Sequence, residues 1–177
     1  MLLMLCITSC DGKYRALETP GKKLEKSNLS KSFFQKEVFI PKSYITSVTD
    51  TIISSGERII IKYYSVDNQS ITTKTKSFNT KTATKHYREF ESEIQVFGNN
   101  KLLFKDHLSK ADFKASSNLK FWDNAILQYV WLDELESSTN NISLNCSFLE
   151  PKTKAYKTYK IYFNNQGKRA IKLTETS

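Results

Sequence analysis

From Glu37 onward, apolar and polar residues tend to alternate with the period of two that marks strands, not the 3.6 of helices. The clearest stretch is 86–97, where Phe90, Ser92, Ile94 and Val96 share one face and Glu89, Glu91, Glu93 and Gln95 the other. Val38, Phe39 and Ile40 predict a short strand ending at Pro41. Segment 44–53 alternates loosely, and 58–66 is rich in Ile and Tyr. Segment 70–85 is a Thr/Lys tract with few large apolar residues, Phe78 among them, which reads as an exposed hairpin or long loop. Near the C-terminus, Ile142, Leu144, Cys146 and Phe148 line one face of a further strand.

Pairing logic registers two hairpins. In FESEIQVFGNNKLLFKD, a three-residue loop Gly98-Asn99-Asn100 puts Val96 opposite Leu102, Ile94 opposite Phe104 and Glu93 opposite Lys105. In YKIYFNNQGKRAIKL, the loop Asn165-Gln166-Gly167 supplies glycine where the chain must turn left-handed. Ile161 then faces Ile171, Tyr159 faces Leu173, and Lys160 faces Lys172. Between the hairpins, Ser109 and Asp112 form a capping-box pattern that predicts a short helix from Lys110 to about Ala115. Segment 119–135 fits a helix at Leu119, Trp122, Ile126 and Tyr129, and a strand at Tyr129, Val130 and Trp131. It is read as an irregular turn, then a strand from Ala125 to about Glu136. The predicted fold is mainly β: an antiparallel β-sandwich or small open barrel with one short helix.

The N-terminus departs from this pattern. The six-residue apolar run from Leu2 to Ile7 is far short of the roughly 20 residues of a spanning helix. It runs into Ile7-Thr8-Ser9-Cys10, which resembles a bacterial lipobox. On this reading residues 1–9 are a lipoprotein signal peptide, and Cys10 is the acylated residue of the mature chain. No basic residue precedes Lys13, a departure from the usual leader that fits a natural start upstream of Met1. Residues 10–35 carry Pro20, Gly21 and many charges without a period, as a flexible tether would. Residues 36–177 form one β-rich domain. With Cys6 discarded and Cys10 lipidated, Cys146 has no disulfide partner and reads as a small buried hydrophobe.

A net charge of +9 favours anionic partners. Lys152, Lys154, Lys157, Lys160, Lys168, Arg169 and Lys172 form a strip without an acid among them, and they are the candidate contacts for such a partner. Repulsion between Lys160 and Lys172 would be relieved by a bound anion. An anionic glycan, lipopolysaccharide or an acidic protein would suit the strip. Nucleic acid would not, for want of a recognised motif. Asp50-Thr51-Ile52 matches a loose acceptor pattern for O-glycosylation of exported proteins. No catalytic residues, cofactor or metal ligands are expected. His86 and Glu89 point to opposite strand faces, Asp106 and His107 diverge, and no Ser-His-Asp order or phosphate-cradling loop is present.

Segment 86–173 resembles a family of Bacteroidota-type lipoproteins that carry a domain of unknown function. The resemblance rests on YREFESEIQVFGNNKLLFKDHLSKADF, AILQYVWLD and SLNCSFLEPKTKAYKTYKIYFNNQGKRAIKL, together with the lipobox. It implies a lipid anchor at Cys10 and a β-rich exported domain, and it carries no activity. The expected protein is a lipid-anchored envelope binding or assembly module, on the periplasmic face of the outer membrane. The alternatives are an envelope hydrolase or metal-dependent enzyme built from dispersed His and carboxylates, and a structural envelope component.

Overall fold

The alternating segments form nine strands in two sheets, in a computed structural model that describes residues 35–76, 82–114 and 119–177. The first sheet holds β1 (Gln35–Ile40), β2 (Thr46–Ile52), β3 (Arg58–Lys76), β4 (Thr82–Gly98) and β5 (Lys101–Leu108). The second holds β6 (Ile126–Leu132), β7 (Asn141–Leu149), β8 (Tyr156–Asn164) and β9 (Arg169–Thr176), side by side in that order. A 3₁₀ turn (Lys110–Phe113) and a short helix, α1 (Leu119–Asn124), lie in the connection between the sheets. The protein is mainly β, and one of its sheets is curled into a half-barrel. Cys10, the predicted leader, Phe78 and Ala115 lie outside the described residues.

One pairing departs from the antiparallel pattern of the others. β1 runs parallel to β4, with Phe39 opposite His86. β4 is long enough to carry two neighbours in succession on one edge, β1 along 82–87 and then β5 along 92–98. β3 takes its other edge. The Thr/Lys tract forms the far ends of β3 and β4, a hairpin as expected.

The predicted register of the first hairpin is also corrected. Asn99 and Asn100 alone make the turn, with φ of 51° and 60°. Two consecutive left-handed residues are the mark of the turn that best matches strand twist, and Asn tolerates that region. Val96 therefore pairs with Phe104, Ile94 with Asp106, and Glu93 with His107, while Leu103 is absorbed as a bulge. The second hairpin matches its prediction: Ile161 faces Ile171, Tyr159 faces Leu173, and Gly167 has φ +76°.

The helical prediction at 110–115 becomes a 3₁₀ turn. The Asp112 carboxylate accepts hydrogen bonds from the Ser109 N–H at 2.7 Å and the Ser109 hydroxyl at 3.1 Å. Segment 119–135 resolves into both of its readings in succession, α1 and then β6, and the strand stops at Leu132, short of the expected Glu136.

The core lies between the sheets. Ile59, Ile61, Phe90, Ile94, Val96 and Leu108 of the first sheet pack toward Leu127, Ile142, Leu144, Cys146, Phe148, Ile161 and Phe163 of the second. α1 turns Phe121 and Trp122 into this layer, where the Trp122 ring meets Phe113, Phe148 and Tyr159. Tyr63 crosses between the sheets. Its ring stacks on Phe90, and its hydroxyl reaches the carbonyls of Leu127 and Gln128, each at 3.0 Å. Those carbonyls sit at a register shift in β6, where Gln128 has no opposite residue on β7.

Cys146 sits where its pattern placed it, fully buried. Burial pushes its thiol up to about 12, against a weaker downward pull from the Tyr159 backbone N–H. A buried thiol held in its protonated form is a poor nucleophile. In a variant with Cys6 and Cys10 replaced by serine, a thiol-disulfide reagent at pH 8 should therefore label Cys146 only after urea is added. Equal labelling rates with and without urea would show that the strand is not packed as described.

Candidate functional site

The inner face of β4 continues past the apolar core. Counting back from Phe90 in steps of two gives Arg88 and then His86, so a cation and an imidazole occupy positions where the alternation would place apolar side chains. Strands of the second sheet pack on the inner face nearer the Gly98 end of β4. Over Arg88 and His86 the cover comes instead from β1 and the segment that follows it.

Four groups stack there. The Phe39 ring lies 4.7 Å from the His86 ring, at 20°. The Arg88 guanidinium carbon sits 4.9 Å from the Phe39 centroid and 3.9 Å from that of Tyr44. Arg88 is only 8% exposed. Its Nε donates to the Pro41 carbonyl at 3.1 Å, and its Nη2 to the Lys42 carbonyl at 3.4 Å. Among the described residues no carboxylate pairs with it, and its Nη1 has no hydrogen-bond acceptor. This is unusual, because buried charges are nearly always paired.

β3 opens the space beside the stack. Its register against β4 jumps from Ser65–Phe90 to Ser70–Arg88, so four residues of β3 bulge out opposite one of β4. Asn68 takes φ 58° within the bulge, and its N–H donates to the Tyr44 hydroxyl at 3.4 Å. The result is a cavity of about 300 Å³ lined by Phe39, Tyr44, Asn68, Gln69, Ser70, His86 and Arg88. His86 Nδ1 lies 3.2 Å from the Thr72 hydroxyl. His86 Nε2 is buried without a hydrogen-bond partner, and the nearest carboxylate oxygen, on Glu37, is 3.9 Å away.

The basic strip spans β8 and the turns at both its ends. Lys152 and Lys154 lie in the turn before β8 and Lys168 in the turn after it, some eight strand steps or roughly 26 Å apart. Lys160 does face Lys172, but the anion expected to relieve them is supplied by the chain itself. Lys160 Nζ lies 2.8 Å from Glu136 and 3.0 Å from Asp133. Those two hydrogen bonds raise the Lys160 ammonium above its ordinary range. Arg169 binds Asp106 at 3.2 Å, Asp112, and the His107 carbonyl at 3.1 Å, which ties β9 to β5. Burial pushes the Asp112 carboxyl up, but the Ser109 N–H, Arg169 and the Ser109 hydroxyl together hold it below the usual range. Lys157 lies over the rings of Phe121 and Trp122, at 5.1 and 5.7 Å. Lys152, Lys154, Lys168 and Lys172 make no ion pair among the described residues.

The glutamate face of β4 is a ladder of ion pairs. Glu89 meets Lys110 at 2.6 Å, Glu91 meets His107 at 3.0 Å, and Glu93 meets Lys105 at 3.2 Å. His107 thus has a carboxylate partner, on the opposite face of the sheet from His86. Among the described residues no group of three or more His, Cys, Asp and Glu side chains could hold a metal ion. In the acceptor-like pattern at Thr51, the neighbouring Asp50 is engaged by Arg58, whose Nε donates at 2.8 Å. No described helix is long and apolar enough to cross a membrane.

Sequence reasoning passed over the Arg88 cavity, although one signal for it was present: the two polar residues that extend the apolar face of β4. The other walls come from β1, β3 and the segment before β2, which no local pattern connects. Compared with known proteins, the chain matches no protein-family model and no curated protein. The class that the fold and the site define is a two-sheet β protein with a cation caged at the rim of its core.

Proposed function

We propose that this is a lipid-anchored binding module of the bacterial cell envelope whose partner is anionic, and that the Arg88 cavity receives it. The lipobox at Cys10 and the tether over 10–35 support the anchoring, as does the resemblance to Bacteroidota-type lipoproteins. They favour the outer membrane, periplasmic face. The observation that carries the binding role is the buried Arg88 guanidinium without a carboxylate partner. Withdrawing such an ion from water costs several kcal/mol. The carbonyls of Pro41 and Lys42 and the two flanking rings offset part of that cost, and a ligand anion would offset more. A residue needed only for packing would not have to be charged.

The strip over 152–172 becomes a secondary contact, because Lys160 and Arg169 already have acidic partners. Surface plasmon resonance of the full chain over immobilised lipopolysaccharide, an acidic polysaccharide and polyglutamate checks the assignment. Binding to at least one surface is expected, weakened at least about tenfold by Arg88→Gln and little changed by Lys160→Gln. If Arg88→Gln folds normally and binds unchanged, while Lys152→Gln with Lys172→Gln abolishes binding, the strip is the site and the cavity is not. Mass spectrometry of the native protein tests the anchor; an unmodified Cys10 thiol would remove the membrane from the account.

A further inference from the structure

We infer that the ligand of the Arg88 cavity is an acidic sugar, a carboxylate-bearing pyranose unit. The inference rests on the anionic-partner reading above and narrows it to one chemical class. Two features of the cavity argue for it.

The charge is single and its free edge is small. Two rings lie against the Arg88 guanidinium, and its Nε and Nη2 are engaged by backbone carbonyls. What remains is the donor capacity of Nη1 and the second hydrogen on Nη2. Two adjacent N–H groups on one monocation match a planar carboxylate. A phosphate dianion would carry one negative charge more than this cation supplies.

The size and lining suit a ring. About 300 Å³ is at the small end of the range for small-molecule sites, more than acetate or phosphate would fill. Asn68, Gln69 and Ser70 bring amides and a hydroxyl to one wall, the groups that pair with sugar hydroxyls. Phe39 and Tyr44 are 41% and 49% exposed, so the apolar face of a ring can rest on aromatic walls at an open mouth.

Calorimetric titration of the full chain separates the outcomes. The probes are uronate oligosaccharides of one to three units (galacturonate, glucuronate and mannuronate series), maltotriose as the neutral control, acetate and inorganic phosphate. At least one uronate series should bind, at least about tenfold more tightly than maltotriose or acetate. Arg88→Lys, which keeps the charge but loses the fork, and the exposed Gln69→Ala should each weaken the trimer several-fold. Gln69→Ala keeps the test open if Arg88 variants fail to fold. Phosphate or acetate binding as tightly as every uronate would overturn the sugar assignment and leave the anionic reading standing. Maltotriose binding equally well, unaffected by Arg88→Lys, would overturn the anionic reading itself. No heat with any probe would overturn both.

Discussion

Replacing Trp122 with alanine is expected to destabilise the protein by about 4 kcal/mol, the range measured for deleting a large aromatic ring from a core. The domain's entire stability is of the order of 5–15 kcal/mol, so the variant would be marginal at 37 °C. The size of the effect follows from where α1 puts the ring. Trp122 is 1% exposed, with its centroid 5.0 Å from Phe148, 5.1 Å from Phe121, 6.0 Å from Tyr159 and 6.3 Å from Phe113. These partners come from the 3₁₀ turn, α1, β7 and β8. They are held by elements that cannot all move inward to fill the space. Lys157 also loses one of the two rings it covers. Trp131 provides the comparison. It points outward from β6 and is 43% exposed, so Trp131→Ala should change stability by about 0.5 kcal/mol or less. Urea unfolding followed by circular dichroism distinguishes them. Trp122→Ala should lower the midpoint by about 2 M, given a typical slope for a domain of this size. Equal shifts for the two variants would mean that α1 does not close the core.

Gly167→Ala is expected to cost about 3 kcal/mol, from two sources that the structure separates. The first is conformational: at φ +76° a side chain crowds its own carbonyl, a penalty of about 1–2 kcal/mol. The second is steric. An added Cβ would lie 2.8 Å from Phe104 Cβ and 2.9 Å from Phe104 Cγ, atoms too close to the β5 backbone to swing aside. Overpacking of that kind adds about 1–3 kcal/mol. Gly56 isolates the first source. It too has a positive φ, +97°, but an added Cβ there would meet no atom within 4 Å. Gly56→Ala should therefore unfold at a clearly higher urea concentration than Gly167→Ala. Similar midpoints would show that the β8–β9 turn does not rest on Phe104.

The hairpins show why some features were legible and others were not. The β8–β9 register could be read because Gly167 left one loop that kept Ile161 and Tyr159 on their apolar face. The β4–β5 register could not, because Asn99 and Asn100 both accept the left-handed region. A two-residue turn with a bulge at Leu103 then competes with the three-residue loop. Choosing between them depends on how Phe104 packs against Phe163 on β8, 5.4 Å away, and that is a contact with another sheet. The acidic partners of the basic strip were hidden for a related reason. Lys160 and Glu136 are 24 positions apart, and their meeting depends on the path of the chain from β6 to β7.

The sequence by itself determined the mainly β class, the buried strand 142–148, the Ser109–Asp112 cap and the turn at Gly167. Each depends on residues a few positions apart, where strand period and turn sterics act directly. Tertiary structure alone decided the parallel seat of β1 on β4, the acid partners of Lys160 and Arg169, and the cage around Arg88. In that cage Pro41 and Arg88 are 47 positions apart. Whether a cation on an apolar face ends up in water, in an ion pair or between two rings is set by which distant segment folds over it, and no local period records that choice.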